Sequence, residues 1–234
     1  GGGATFDNIT AGVEAALSLD IPVNLRVILD RENMKELPEL ARFAAARGWT
    51  KHSAFKTQLG RAYELHTCLP GAEKLYSRLA FFQALAREIE KEPGILEFHR
   101  PAFSVARFLF ENERLPAPLF DSCPGTKTEW AFDGAGRIYS CTATVGKEGE
   151  ELGTFHPVIA KDNDRIARWQ ERDVTAVAAC RDCPLQLACG GGCAAVARHT
   201  AGDILTPDCR PVDKLLELGL PLYLTPDYLE VSHV

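Results

Sequence analysis

Apolar residues recur at helical spacing near the start of the chain. Phe6, Ile9, Val13, Ala16 and Leu17 predict an amphipathic helix over about 6–18. Pro22 then opens the run Val23-Asn24-Leu25-Arg26-Val27-Ile28-Leu29, rich in β-branched residues and bounded by Asp30, which predicts a buried strand. Pro38 suits the first turn of a second helix with Leu40, Phe43 and Ala44 inward, and Gly48 suits its C-terminal cap. A second strand is expected over about 52–59, ending in Leu59-Gly60-Arg61. Helix, strand, helix, strand is the order of a parallel α/β layer with right-handed crossovers. Leu75, Leu79, Phe82, Leu85 and Ile89 then fall on one side of a long helix from about Ala72 to Glu90, which Pro93 ends. Residues 102–112 read as helical again, and no repeat, heptad or low-complexity tract appears.

Pro116 and Pro118 mark a linker, and the patterning changes after it. Trp130-Ala131-Phe132, Asp133-Gly134-Ala135-Gly136 and Arg137-Ile138-Tyr139 predict a β-hairpin with a glycine-rich turn, whose return strand delivers Cys141. From Cys141 to Cys209 the chain reads as turns and short helices, organised more by metal ligation than by apolar burial. Two domains are expected, 1–114 and 115–234.

Composition narrows the function classes. The 234 residues are 46% hydrophobic and 25% charged, an ordinary globular balance. A net charge of −6 without a basic run argues against nucleic acid as a partner. No apolar stretch approaches the roughly 20 residues of a membrane span, and the glycine-rich opening does not resemble a signal peptide. Eight cysteines in a chain of this length, with close C-x2-C pairing, point to ligands in a reducing, cytoplasmic compartment rather than to a disulfide scaffold. The chain opens Gly1-Gly2-Gly3 and its one methionine is Met34, so an excerpt of a longer protein is expected.

Seven of the eight cysteines form one compound pattern. Cys123 is followed by C-x12-G-x4-C spacing through Gly136 to Cys141. Cys180, Cys183, Cys189 and Cys193 follow at x2, x5 and x3, and Cys209 comes after fifteen further residues. Seven thiols exceed one metal centre and suit two, and soft thiolates select zinc or iron–sulfur clusters. Structural zinc accepts four thiolates, but its knuckles repeat C-x2-C, and an odd total of seven fits a pair of such sites poorly. A cluster with one non-cysteine position fits better. Gly190-Gly191-Gly192 lets the backbone between Cys189 and Cys193 take positive φ, with N–H groups available to cluster sulfides.

This pattern resembles the seven-cysteine signature of SPASM domains, the auxiliary-cluster modules of radical S-adenosylmethionine (SAM) enzymes. Asp133-Gly134 before Ile138-Tyr139-Ser140-Cys141, and Cys189-Gly190-Gly191-Gly192-Cys193, agree with it. Gly3-Ala4-Thr5-Phe6-Asp7 and Asn24-Leu25-Arg26 are similar to the last part of the radical SAM barrel. The resemblance implies an α/β fold: the C-terminal portion of a partial (β/α)6 TIM-like barrel, then a SPASM domain with a β-hairpin and short helices. It implies two auxiliary 4Fe–4S clusters, one on Cys123, Cys141 and Cys193 and the other on Cys180, Cys183, Cys189 and Cys209. Some relatives add a cysteine shortly before the first one. The stretch 116–122 has none here, which leaves an open iron or a ligand from elsewhere, and Cys68 is the one spare thiol.

The C-x3-C-x2-C motif that binds the SAM-cleaving cluster is absent, since Val196 stands where its third cysteine would follow Cys189 and Cys193. SAM and a third 4Fe–4S cluster are therefore expected only in a full-length enzyme, and this chain alone is expected not to cleave SAM. Asn24 and Arg26 are the candidate SAM contacts, with a weaker suggestion from Gly60 and Arg61; a strand-borne Arg needs an anion, either the SAM carboxylate or a carboxylate of the barrel. No catalytic residue is assigned, and the six histidines show no ligand spacing. The resemblance implies a peptide or protein maturase. In such enzymes a 5′-deoxyadenosyl radical abstracts hydrogen from the substrate, auxiliary clusters bind substrate or relay electrons, and flavodoxin or ferredoxin supplies reductant. Sulfatase-maturing members carry Asp after the second cysteine, where this chain has Thr142. Two other readings are a zinc-organised binding module and a stand-alone iron–sulfur electron carrier; the bare strand edges of a partial barrel speak against the latter.

Overall fold

The computed structural model describes residues 5–62 and 71–224. The fold mixes helices with two small sheets, one of two parallel strands and one of four antiparallel strands. The chain divides into two compact units, the first drawn from 5–62, 71–115 and 214–224, the second from 116–213. No helix among the described residues is long and apolar enough to cross a membrane.

In the first unit, α1 (Phe6–Ser18) leads into β1 (Val23–Leu29), α2 (Leu37–Ala46) and β2 (Phe55–Arg61). The apolar period of α1 buries Val13 and Leu17, and α2 buries Leu37, Ala41 and Ala44. Pro38 lies in the first turn of α2, where a missing N–H costs nothing. Gly48 sits at φ 74° beyond the helix end and donates its N–H to Ala45 O, as a C-terminal glycine should. β1 and β2 pair in parallel, with Asn24 opposite Lys56 and Arg26 opposite Gln58. β2 begins three residues later than its sequence pattern suggests, because Trp49–Lys51 forms a 3-10 turn first.

The expectation that β1 is buried holds for one face only. Asn24, Arg26 and Ile28 are exposed, while Val23, Leu25, Val27 and Leu29 pack against the core. Strand alternation sends these two sets to opposite faces, and the core lies along one of them. Aromatic rings tie the layers together in a chain from Phe6 to Phe43, Trp49, Phe55 and Phe98, with centroids 5.1–6.4 Å apart.

The expected long helix splits. A 3-10 turn covers Ala72–Lys74, and α3 (Arg78–Lys91) starts where the Ser77 hydroxyl accepts the Ala80 N–H. This N-cap fixes the helix start at the serine. After α4 (Ile95–Phe98), α5 (Ala106–Asn112) begins later than its pattern suggests, since Phe103 and Ser104 both have positive φ. The last described helix, Val212–Tyr223, belongs largely to this unit: the Tyr223 hydroxyl donates to Pro101 O, and Gly219 passes so close to buried Phe103 that a Cβ would collide with it.

The second unit has a thin core in which Ile138, Tyr139, Leu152, Val174 and Val177 are among the buried residues. The expected hairpin forms from β3 (Ala131–Phe132) and β4 (Arg137–Tyr139). Two further strands, β5 (Glu151–Thr154) and β6 (Ala160–Lys161), extend it to the order β3-β4-β5-β6. These strands replace part of what the sequence suggested was turn and short helix. Asp133 locks the hairpin, its carboxylate accepting the Ala135 and Arg137 N–H groups, the Arg137 guanidinium and the Tyr139 hydroxyl. The short helices are α6 (Asn163–Gln170), α7 (Gln186–Cys189) and α8 (Ala194–Ala201).

In the first unit, His99 is mostly buried and its Nδ1 lies 3.0 Å from the Thr57 hydroxyl, which also donates to Phe98 O at 2.7 Å. Burial, then the charge of Arg107, lower its pKa from 6.5 to about 4. The folded form therefore resists protonation that the unfolded chain accepts. The resulting stability is complete above about pH 6.5 and is lost as pH falls toward 4, in total about 3 kcal/mol. Urea midpoints of wild type and His99→Gln over this range should show a steeper acid loss in the wild type; parallel profiles would refute this account.

Candidate metal centre

Seven cysteines lie among the described residues, and all are free thiols: Cys123, Cys141, Cys180, Cys183, Cys189, Cys193 and Cys209. All belong to the second unit. Cys68 lies outside the described residues.

Cys123, Cys141 and Cys193 are placed by a loop, by the end of the hairpin and by the start of α8. Cys141 follows β4 in extended backbone, its N–H donating to the Thr144 hydroxyl at 3.4 Å while that hydroxyl donates to Cys141 O. The spacing glycine, Gly136, has φ 83°, and a Cβ there would collide with His156 O, so the hairpin can run beside β5 only with glycine at this place. Cys193 is the N-cap of α8, and its N–H donates to the Asp208 carboxylate at 3.0 Å. Cys123 donates its N–H to the Asp121 carboxylate at 3.0 Å. Burial pushes the thiols of Cys141 and Cys193 up. The N–H of Ala143 pulls Cys141 back, the N–H groups of Val196 and Ala195 pull Cys193 back, and each thiol is also raised by Cys123.

The other four thiols are Cys180 and Cys189, both buried, Cys183, half-buried, and Cys209, exposed. The Cys183 N–H donates to Cys180 O at 3.1 Å, closing the C-x2-C turn. Burial raises the Cys180 thiol first, and then Cys189, Cys209 and Cys183 raise it further, with Arg172 opposing them. The thiols thus influence one another in two groups. Cys123 bears on Cys141 and on Cys193, whereas Cys180 feels Cys183, Cys189 and Cys209.

Between the groups runs a left-handed turn. Gly190, Gly191 and Gly192 have φ of 64°, 71° and 72°, a run that only glycine adopts without strain. Their carbonyls all face protein donors: Gly190 O accepts from Ser122, Gly191 O from the Asp208 N–H and Arg172, and Gly192 O from Arg172. Gly190 and Gly192 also pack too closely for a side chain, against the 119–122 loop and against Asp208 O. Among the described residues, the N–H groups of buried Gly191 and Gly192 donate to no oxygen. Buried amides normally find an acceptor, and these two lie in the stretch that joins a thiol of one group to a thiol of the other.

Thiol chemistry, the two groups and the unanswered amides fit sulfur-rich clusters better than an apolar packing role. Among the described residues, no group of three or more His, Cys, Asp or Glu side chains is placed so that it could hold a metal ion. A polar cavity of 370 Å³, lined by residues that include Thr144, Lys147, Glu150, Ala195, Arg198 and His199, abuts the turns that carry Cys141 and Cys193.

The candidate SAM contacts lie in the first unit. Asn24 and Arg26 are neighbours on the exposed face of β1, and Arg26 makes no ion pair among the described residues. Gly60 and Arg61 end β2, and the Arg61 guanidinium reaches Tyr76 O at 3.2 Å. Thr142 caps onto Glu129, donating both N–H and hydroxyl to its carboxylate. No protein-family model matches the chain, and no curated protein matches it.

Arg172 and Asp121 were not legible as site residues. Arg172 stands in Glu171-Arg172-Asp173, a run that reads as surface, yet it is 1% exposed. Only its neighbours in space betray it.

Gly192→Ala should lower the stability of the second unit by more than about 2 kcal/mol, because a positive-φ alanine there also strikes Asp208. Gly149→Ala, at φ 73° in open space, should lose only about 1 kcal/mol. Equal losses in urea unfolding would show that the contact with Asp208 is not the constraint.

Proposed function

We propose that this chain corresponds to the C-terminal part of a radical SAM enzyme with a SPASM domain, acting as a peptide or protein maturase. The finer fold reading goes with it: the parallel β1–β2 layer with its helices corresponds to the end of a partial (β/α)6 barrel, and the antiparallel sheet with its short helices to the auxiliary-cluster domain. One observation carries the reading. All seven cysteines of the C-x12-G-x4-C and C-x2-C-x5-C-x3-C pattern are free thiols of the second unit, and the left-handed Gly190–Gly192 turn joins Cys189 to Cys193, which supports the two-cluster division that the resemblance implies.

In this reading the first three thiols hold one auxiliary 4Fe–4S cluster and the other four hold a second. Such clusters supply electron transfer or a binding position for substrate. The protein's own part is to orient the thiols, to exclude water by burial, and to offer the Gly191 and Gly192 N–H groups to sulfur, which tunes a cluster's potential. Asn24 and Arg26, adjacent on one exposed strand face, suit the polar groups and carboxylate of SAM. SAM and its own cluster belong to the full-length enzyme, with a flavodoxin or ferredoxin as reductant in a reducing cytoplasm.

Anaerobic reconstitution with iron and sulfide tests the reading. Wild-type protein should bind about eight irons with matching acid-labile sulfide, as two 4Fe–4S clusters require. Cys180→Ser and Cys141→Ser should each lose roughly half of that iron, and the double variant nearly all of it. Zinc without sulfide in the purified protein would refute it and leave a zinc-organised binding module.

A further inference from the structure

Arg172 follows α6 and is 1% exposed. A guanidinium cannot shed its charge, so its burial is tolerable only when acceptors surround it. Here Nε donates to Ile204 O at 2.5 Å, Nη2 to Gly191 O at 2.9 Å and to Thr206 O at 3.3 Å, and Nη1 to Gly192 O at 3.3 Å. The carboxylate of Asp121 lies 3.5 Å from Nη1. That carboxylate is shared with Lys127, whose ammonium also donates to Arg172 O at 2.6 Å.

Each acceptor lies on a segment that ends in thiols. Asp121 is two residues before Cys123 and holds the Cys123 N–H. Gly191 and Gly192 separate Cys189 from Cys193. Ile204 and Thr206 lie on the loop that ends at Asp208-Cys209, where Asp208 grips both Gly191 O and the Cys193 N–H. One side chain therefore joins the segments bearing four of the seven thiols, from both groups.

We propose that Arg172 is a positioning residue for both thiol groups, fixing their segments in mutual register and setting a buried positive charge at the turn that joins Cys189 to Cys193. The proposal rests on the iron–sulfur reading above. Four of the five contacts are carbonyls, so Arg172 remains a net cation rather than half of a neutral pair. A fixed positive charge beside a cluster favours its reduced state, which carries one more negative charge.

The test reconstitutes wild type, Arg172→Gln and Arg172→Lys anaerobically with iron and sulfide, then measures iron and sulfide content and, by redox titration followed by EPR, midpoint potentials. Arg172→Gln should retain less than half of the wild-type iron, and the cluster iron that remains should titrate at a lower potential. Arg172→Lys keeps the charge but not the planar five-donor fork, so it should lose iron while restoring the potential. Should the glutamine variant fail to fold, Arg172→Lys decides: reduced iron at wild-type potential upholds the proposal, and full iron content overturns it. Wild-type iron and potential in both variants, or equal iron loss with unmoved potentials, would likewise overturn the role of Arg172. Wild-type protein that binds no iron and sulfide would overturn the reading beneath it, and the proposal with it.

Discussion

A guanidinium buried in a thin core has to be answered from every side at once, and that requirement organises the second unit. Arg172 accepts no partial solution: its donors reach the glycine turn, the 204–206 loop and Asp121 together. Apolar burial around it is modest, with Val174 and Val177 beside Cys180 forming a small cluster of their own. Charge-assisted hydrogen bonds to carbonyls are about twice as strong as neutral ones, and removing the cation would leave several buried carbonyls without donors. The loops between thiols carry little regular structure, so their shape depends on this centre more than on strand or helix ladders.

The glycine turn is the complement of that centre. Three successive left-handed residues present their carbonyls toward the arginine and its neighbours, which leaves the amides of Gly191 and Gly192 without an oxygen acceptor. Cation and turn thus act as one device. The arginine satisfies one side of the peptide planes, and the opposite side remains for a different kind of acceptor.

Much of the first unit was legible because local signals and tertiary packing agree there. The apolar period of α1, the β-branched run of β1, and Pro38 with Gly48 around α2 all mark elements that formed. The start of α3 was not read from apolar spacing, because Leu75 continues the period across a boundary that the Ser77 cap sets. β5 escaped notice because Glu151-Leu152-Gly153-Thr154 is short and interrupted by a glycine that passes close to Ala160. At the site, cysteine spacing identified the thiols, while their division is what the family resemblance implies. The residues that hold the thiols in place were hidden. An Arg between Glu and Asp carries no sign in sequence that four backbone carbonyls will surround it.

The interleaving of the thiols also governs where this unit tolerates changes in length. Cys189 and Cys193, which the resemblance assigns to different clusters, are joined by three residues with closed backbone geometry, so an insertion or deletion there would shift both thiols relative to each other. Between Cys141 and Arg172 the chain instead makes an excursion through β5, β6 and α6 and returns, contributing no thiol on the way. Its outermost part carries Val158 and Ile159 at the surface, 69% and 72% exposed. Phe155 and His156 donate to Gly136 O and so are tied to the hairpin that delivers Cys141, but the residues just beyond them bear on no thiol segment. Among related chains, variation in length is therefore expected to concentrate around residues 157–159, while the stretch from Cys189 to Cys193 keeps its count.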